Sequence, residues 1–171
     1  MFDLLAKIDE KRWSWALLAL SALSLDLTAL YFQYVLKLDP CVLCVYERMA
    51  VCGVMFAGVL GCINPKSLYL RLSGYALWAY SSYKGLALAI EHVGVQFPDN
   101  PFASSCDAFP QFWLPIDKWL PQIFAPMGMC DEINWMFLGW TMPQWLIVCF
   151  VIYSIILAAV LLIRLIINKK L

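Results

Sequence analysis

Charge is scarce in this sequence. Charged residues make up 14% of the 171 positions and hydrophobic residues 63%, whereas a soluble domain carries about a quarter charged residues. Too little polar surface remains to keep a domain of this size dispersed in water. The net charge is zero, so no basic field attracts nucleic acid, and that class of partner is excluded. The first residues do not resemble a cleavable leader. Residues 1–12 mix Asp3, Lys7, Asp9, Glu10, Lys11 and Arg12. The apolar stretch that follows is longer than a signal h-region and ends in no small-x-small site. A retained first span is expected. Internal repeats and low-complexity tracts are absent.

What is present is apolar residues in four runs, at about 13–34, 44–63, 68–90 and 145–167. Each holds roughly 20 residues, enough to cross ~30 Å of hydrocarbon at 1.5 Å per residue. Backbone groups in lipid must be satisfied internally, so the runs are read as helices. The expected fold is an all-α membrane protein, a four-transmembrane-helix bundle forming a single membrane domain over residues 1–171. Segment 91–144 carries seven of the nine prolines and is too poorly patterned to be a domain. It is expected to be a long loop tied down by a disulfide. Within it, the stretch from Phe109 to Phe124 is dense in aromatics and broken by proline, which suits a short element lying in the headgroup region.

Basic residues orient the bundle. Lys7, Lys11, Arg12, Lys66, Arg71, Arg164, Lys169 and Lys170 flank one side, and only Lys37 and Lys118 flank the other. Both termini and the Asn64 turn are therefore expected in the cytoplasm, with segments 35–43 and 91–144 outside.

The chemistry gathers at Pro40-Cys41-Val42-Leu43-Cys44-Val45-Tyr46-Glu47-Arg48. Of the seven cysteines, Cys41, Cys44, Cys106 and Cys130 fall in or beside the outward segments, and Cys52, Cys62 and Cys149 fall within spans. The latter read as small apolar packing residues. The outward four admit three readings: two structural disulfides, a four-thiolate metal site, or a dithiol–disulfide relay. A Cys-x-x-Cys pair at a helix start favours the relay, because the helix N-terminus and nearby cations stabilise a thiolate. Cys106 and Cys130 are too widely spaced in sequence for a familiar metal motif, and no resident metal is expected.

Arg48 lies one turn beyond Cys44 on the same helix face. A cation inside a span is a functional candidate by default. It suits stabilising a Cys44 thiolate or holding a quinone carbonyl, against the plainer alternatives of snorkelling or pairing with Glu47. Asp26 of the first span and Lys84 of the third are further charges within spans, placed either to pair with each other or to carry protons. His92, the only histidine, sits beside Glu91 at the outer end of the third span, near the level of Cys44. Oxidising a dithiol releases two electrons and two protons, and a quinone accepts both. Two rivals stand beside this reading: an oxidoreductase with a different thiol client, and a small transporter or assembly factor whose disulfides are structural.

These residues resemble the bacterial DsbB family. The resemblance rests on Cys41-Val42-Leu43-Cys44-Val45-Tyr46-Glu47-Arg48, the third span ending Glu91-His92, and the proline-rich loop with Cys106 and Cys130. Trp113-Leu114-Pro115-Ile116-Asp117-Lys118-Trp119 and Met142-Pro143-Gln144-Trp145 add to it, so that it covers essentially the whole chain. It implies a protein of the bacterial inner membrane that reoxidises a periplasmic DsbA-like partner and reduces ubiquinone or menaquinone. It further implies a Cys106–Cys130 disulfide that meets the partner and a Cys41–Cys44 pair that meets the quinone. Cys44, Glu47, Arg48 and His92 are the implied quinone-binding set. Cys52, Cys62 and Cys149 lie outside the family's core motif.

Overall fold

The computed structural model describes residues 11–98 and 116–168. Four long helices dominate: α1 (Arg12–Tyr34), α2 (Val42–Ile63), α3 (Leu68–Gln96) and α6 (Met142–Asn168). Between α3 and α6 lie two single turns, α4 (Ile116–Trp119) and α5 (Pro121–Phe124), and a two-stranded hairpin, β1 (Met136–Phe137) and β2 (Trp140–Thr141). This is an all-α membrane protein. By length and composition α1, α2 and most of α6 are apolar enough to cross a bilayer. Helix α3 is as long but carries Arg71, Lys84 and several Tyr and Ser residues among its aliphatics. It packs between α2 and α6 and completes the bundle.

The helices end where their sequences demand. Asn64-Pro65-Lys66 stops α2, because proline cannot continue the hydrogen-bond ladder and restricts the residue before it. The turn closes with Ser67 N–H donating to the Asn64 carbonyl at 3.0 Å. Helix α3 does not stop at Ile90. It runs on to Gln96, so Glu91 and His92 lie on a helix rather than in a loop. No proline or glycine interrupts Glu91-His92-Val93, which leaves the ladder free to propagate. The lone Gly94 is tolerated.

The larger buried cluster is a seam through the bundle. Trp15, Leu18 and Ala22 of α1 meet Val51, Val54 and Ala57 of α2, Tyr75 and Trp78 of α3, and Phe150, Tyr153 and Leu157 of α6. The Trp15 ring sits 5.1 Å from Tyr75 and 6.3 Å from Trp78, in tilted and edge-on arrangements that aromatic quadrupoles favour. Lipid tails are as apolar as leucine, so close contact rather than hydrophobic exclusion holds such helices together. Small residues supply that contact. A Cβ on Gly58 would lie 2.6 Å from the Ala19 backbone nitrogen, and one on Gly85 would lie 2.2 Å from the Phe150 ring. Outward faces are apolar, with Leu17, Leu20, Leu27, Ile155 and Ile166 exposed. Helices α1 and α6 are joined by a hydrogen bond between Ser21 Oγ and Tyr153 Oη at 3.0 Å.

The loop is fastened by main-chain groups. Gln33 Nε2 donates to the Gln122 carbonyl at 3.1 Å, and Tyr34 Oη donates to the same oxygen. Met127 and Gly128 N–H both donate to the Pro40 carbonyl, at 2.9 and 3.1 Å. Phe124 is buried while Trp119 and Leu120 stay exposed. Of the aromatic stretch Phe109–Phe124, the part before Ile116 lies outside the described residues. The hairpin turns at Leu138 and Gly139, both at positive φ, and its Phe137 and Trp140 rings pack on Trp145 at the start of α6.

Gly58→Ala is expected to destabilise the bundle by about 1–3 kcal/mol, the usual range for overpacking a tight contact. Gly94→Ala, with nothing within 4 Å of its added carbon, should leave the melting temperature unchanged or raise it. Thermal unfolding in detergent checks both.

Candidate active site

Cys41 is the N-cap of α2. Its sulfur accepts the Cys44 backbone N–H at 3.2 Å, the place a Ser or Asp side chain takes in an ordinary cap. The Cys44 sulfur lies 3.0 Å from that of Cys41, and both thiols are free. His92 of α3 reaches across with Nε2 3.5 Å from the Cys41 sulfur. Its other nitrogen, Nδ1, pairs with Glu47 Oε1 at 3.0 Å. Glu47 and His92 are 1% and 2% exposed, so each is the other's compensation for leaving water. Glu47 therefore pairs with His92 and not with Arg48. With Cys41 buried at a helix start, the hydrogen bonds from the Cys44 thiol and amide pull its pKa below the ordinary thiol range.

Cys130 packs with Cys41 and Leu43 in one buried cluster and is held in a disulfide. Cys106 lies outside the described residues. Arg48 is buried. Its Nη1 donates to Gln33 Oε1 at 2.9 Å and to the Ile123 carbonyl. It is therefore clamped to α1 and to the loop rather than snorkelling. Gln33 escaped notice in the sequence because a glutamine near a helix end reads as solvated. Its spacing from Asp26, two helical turns along α1, was the available signal.

Asp26 and Lys84 do not form the pair that spacing allowed. Asp26 is buried and accepts from the Cys52 thiol at 3.2 Å, while Lys84 is exposed on α3. Cys52 is thus a hydrogen-bond donor and not only packing. Cys149 of α6 faces a cavity.

That cavity holds about 270 Å³ between α1, α2 and α6. Leu25, Val51 and Leu146 supply apolar wall, and Cys44, Arg48, His92 and Asp26 supply the polar points. Mostly apolar walls with a few placed polar groups are what a small flat ligand requires. The Arg48 Nε is buried and has no hydrogen-bond partner among the described residues. The apolar walls with the polar side chains of Arg48 and His92 fit a quinone ring.

Known proteins resemble the chain over most of its length. The family model described as "Disulfide bond formation protein DsbB" matches residues 11–160. The chain is similar to Disulfide bond formation protein B of Pectobacterium atrosepticum, at 50% identity over 163 residues, 94% of this chain and 92% of the relative. It is similar to that of Aeromonas salmonicida, at 49% over 162 residues, 94% and 93% of the two chains. It is also similar to that of Psychromonas ingrahamii, at 49% over 158 residues, 91% and 85%.

The lowered pKa of Cys41 has a sign that alkylation can read. Its thiolate persists below the ordinary thiol pKa of about 8.5 and is lost only as pH falls through the depressed value. Iodoacetamide labelling of the Cys41 peptide in reduced protein should therefore show a midpoint below about 8.5. Cys44→Ala, which removes the donating thiol, should move that midpoint upward.

Proposed function

The chain belongs to the DsbB family of disulfide bond formation proteins, and from that premise we propose that it reoxidises a DsbA-like thiol partner and passes the electrons to a membrane quinone. The observation that carries the proposal is that Cys44 and Arg48 share the wall of one cavity while Cys130 packs against Cys41. Thiols that meet a water-borne partner are thereby joined to a space suited to a lipid-borne acceptor. The distribution of basic residues supports placing this end of the bundle in the periplasm and both termini in the cytoplasm, with the protein in the bacterial inner membrane.

In the proposed cycle the partner's thiolate attacks the disulfide between Cys106 and Cys130, bonds to Cys106 and releases Cys130. The partner's second thiol then displaces Cys106, and the partner leaves oxidised. The Cys130 thiolate attacks Cys41 of a Cys41–Cys44 disulfide and expels Cys44. Cys106 displaces Cys41 from Cys130, which restores the loop disulfide and leaves Cys41 and Cys44 as a dithiol. A bound ubiquinone or menaquinone supplies the sink for two electrons and two protons. Joining the Cys41 and Cys44 sulfurs, 3.0 Å apart, would release two electrons and both thiol protons to that sink. His92 Nε2 receives the Cys41 proton, and Glu47 stabilises the resulting imidazolium. Arg48 lines the cavity and places its positive charge where negative charge develops. Summed over the cycle, one dithiol becomes one disulfide and one quinone becomes one quinol.

Loss of quinone absorbance on adding a reduced DsbA-like protein to the detergent-purified chain tests this. Steady loss is expected, and Cys44→Ser should abolish it with the fold intact. Arg48→Met should raise the quinone KM about tenfold or more, the equivalent of a hydrogen bond from a charged group. No loss with any quinone would overturn the proposal.

A further inference from the structure

We propose that the reduced Cys41–Cys44 pair, together with His92, captures a single zinc ion, and that bound zinc and the Cys41–Cys44 disulfide exclude each other. The ion is an inhibitor caught in passing, not a resident cofactor. The inference rests on the reading above only in that the pair must exist as a dithiol for part of its cycle.

The two sulfurs and His92 Nε2 lie within 4.8 Å of one another. Zinc takes sulfur at about 2.3 Å and imidazole nitrogen at about 2.0–2.1 Å, so a tetrahedral site spaces two sulfurs roughly 3.8 Å apart and sulfur from nitrogen roughly 3.5 Å. The Cys41–His92 separation of 3.5 Å already matches. The sulfurs stand 3.0 Å apart and must open by roughly 0.8 Å to reach zinc geometry. A rotation of the half-buried Cys44 toward the cavity provides that movement.

The surroundings are those of a ligand set. A zinc-bound histidine usually gives its other ring N–H to a carboxylate, which fixes the tautomer and raises the basicity of the ligating nitrogen. Glu47 is in that place, 3.0 Å from Nδ1, and both side chains are buried. This leaves the Nε2 lone pair directed at the sulfurs. The Cys44 amide already supports the Cys41 sulfur. The cavity leaves the fourth position open to water. Two thiolates neutralise the ion, which suits a site poor in water, and binding displaces up to two thiol protons with no change in oxidation state. Once Cys41 and Cys44 are joined, neither sulfur is a thiolate and the site no longer exists.

The test uses the full chain in detergent with Cys106→Ala and Cys130→Ala, so that Cys41 and Cys44 are the remaining outward thiols. Zinc is titrated against a chromophoric chelator without oxygen, before and after diamide oxidation. One zinc per chain is expected in the reduced form and none in the oxidised form. His92→Ala should weaken binding at least tenfold, and Glu47→Gln about 10–100-fold. Equal binding by oxidised protein would assign the ion to the span cysteines and overturn the proposal. Unchanged affinity in both His92→Ala and Glu47→Gln would reduce the site to a bare dithiol and overturn it equally. Because the readout is metal binding, its failure is separate from a failure of quinone reduction in the unmodified chain.

Discussion

The Glu47–His92 pair is the interaction on which the rest of the site depends. Two ionisable side chains on neighbouring helices are taken almost wholly out of water and left with each other at 3.0 Å. Breaking such a pair by removing one partner costs about 3–5 kcal/mol, because a buried charge is left uncompensated. The pair therefore pins α2 to α3 at the level of the thiols. It also sets which imidazole nitrogen meets Cys41, since Glu47 claims Nδ1 and leaves Nε2 for the sulfur.

A second constraint comes from the loop. Its contacts with the bundle run largely through carbonyl oxygens and amides: Gln122 and Ile123 to Gln33, Tyr34 and Arg48, and Met127 and Gly128 to Pro40. Main-chain groups tie the loop down whatever its side chains, and they use the same arginine and the same cysteine segment that line the cavity. Arg48 thus has two roles. Its Nη1 fastens the loop and α1, and the residue also lines the cavity. A change in the loop therefore reaches the cavity through one guanidinium.

Much of this was legible in the sequence. The apolar runs, the Asn64-Pro65 stop and the Cys-x-x-Cys followed by Arg48 are local signals, and the helices lie where the runs are. The resemblance to the DsbB family rested on the same residues, and the comparisons bear the family out. What the sequence hid is what depends on other helices. His92 read as interfacial, because nothing local shows that α3 runs on to Gln96 and presents it to Glu47. Gln33 and Cys52 looked unremarkable until the packing of α1 on α2 put them against Arg48 and Asp26. Lys84 and Asp26 lie at similar depth, but one faces outward and the other inward, a distinction set by helix rotation rather than spacing.

The central claim is that electrons cross from the loop to the bundle through contact between Cys130 and Cys41. Peptide mapping of a Cys44→Ser, Cys106→Ser variant under non-reducing conditions tests it most directly, since each pair is left with one cysteine. The account requires a Cys41–Cys130 disulfide to form and accumulate. If Cys41 and Cys130 both remain free thiols under oxidising conditions in a folded protein, the relay as described is wrong.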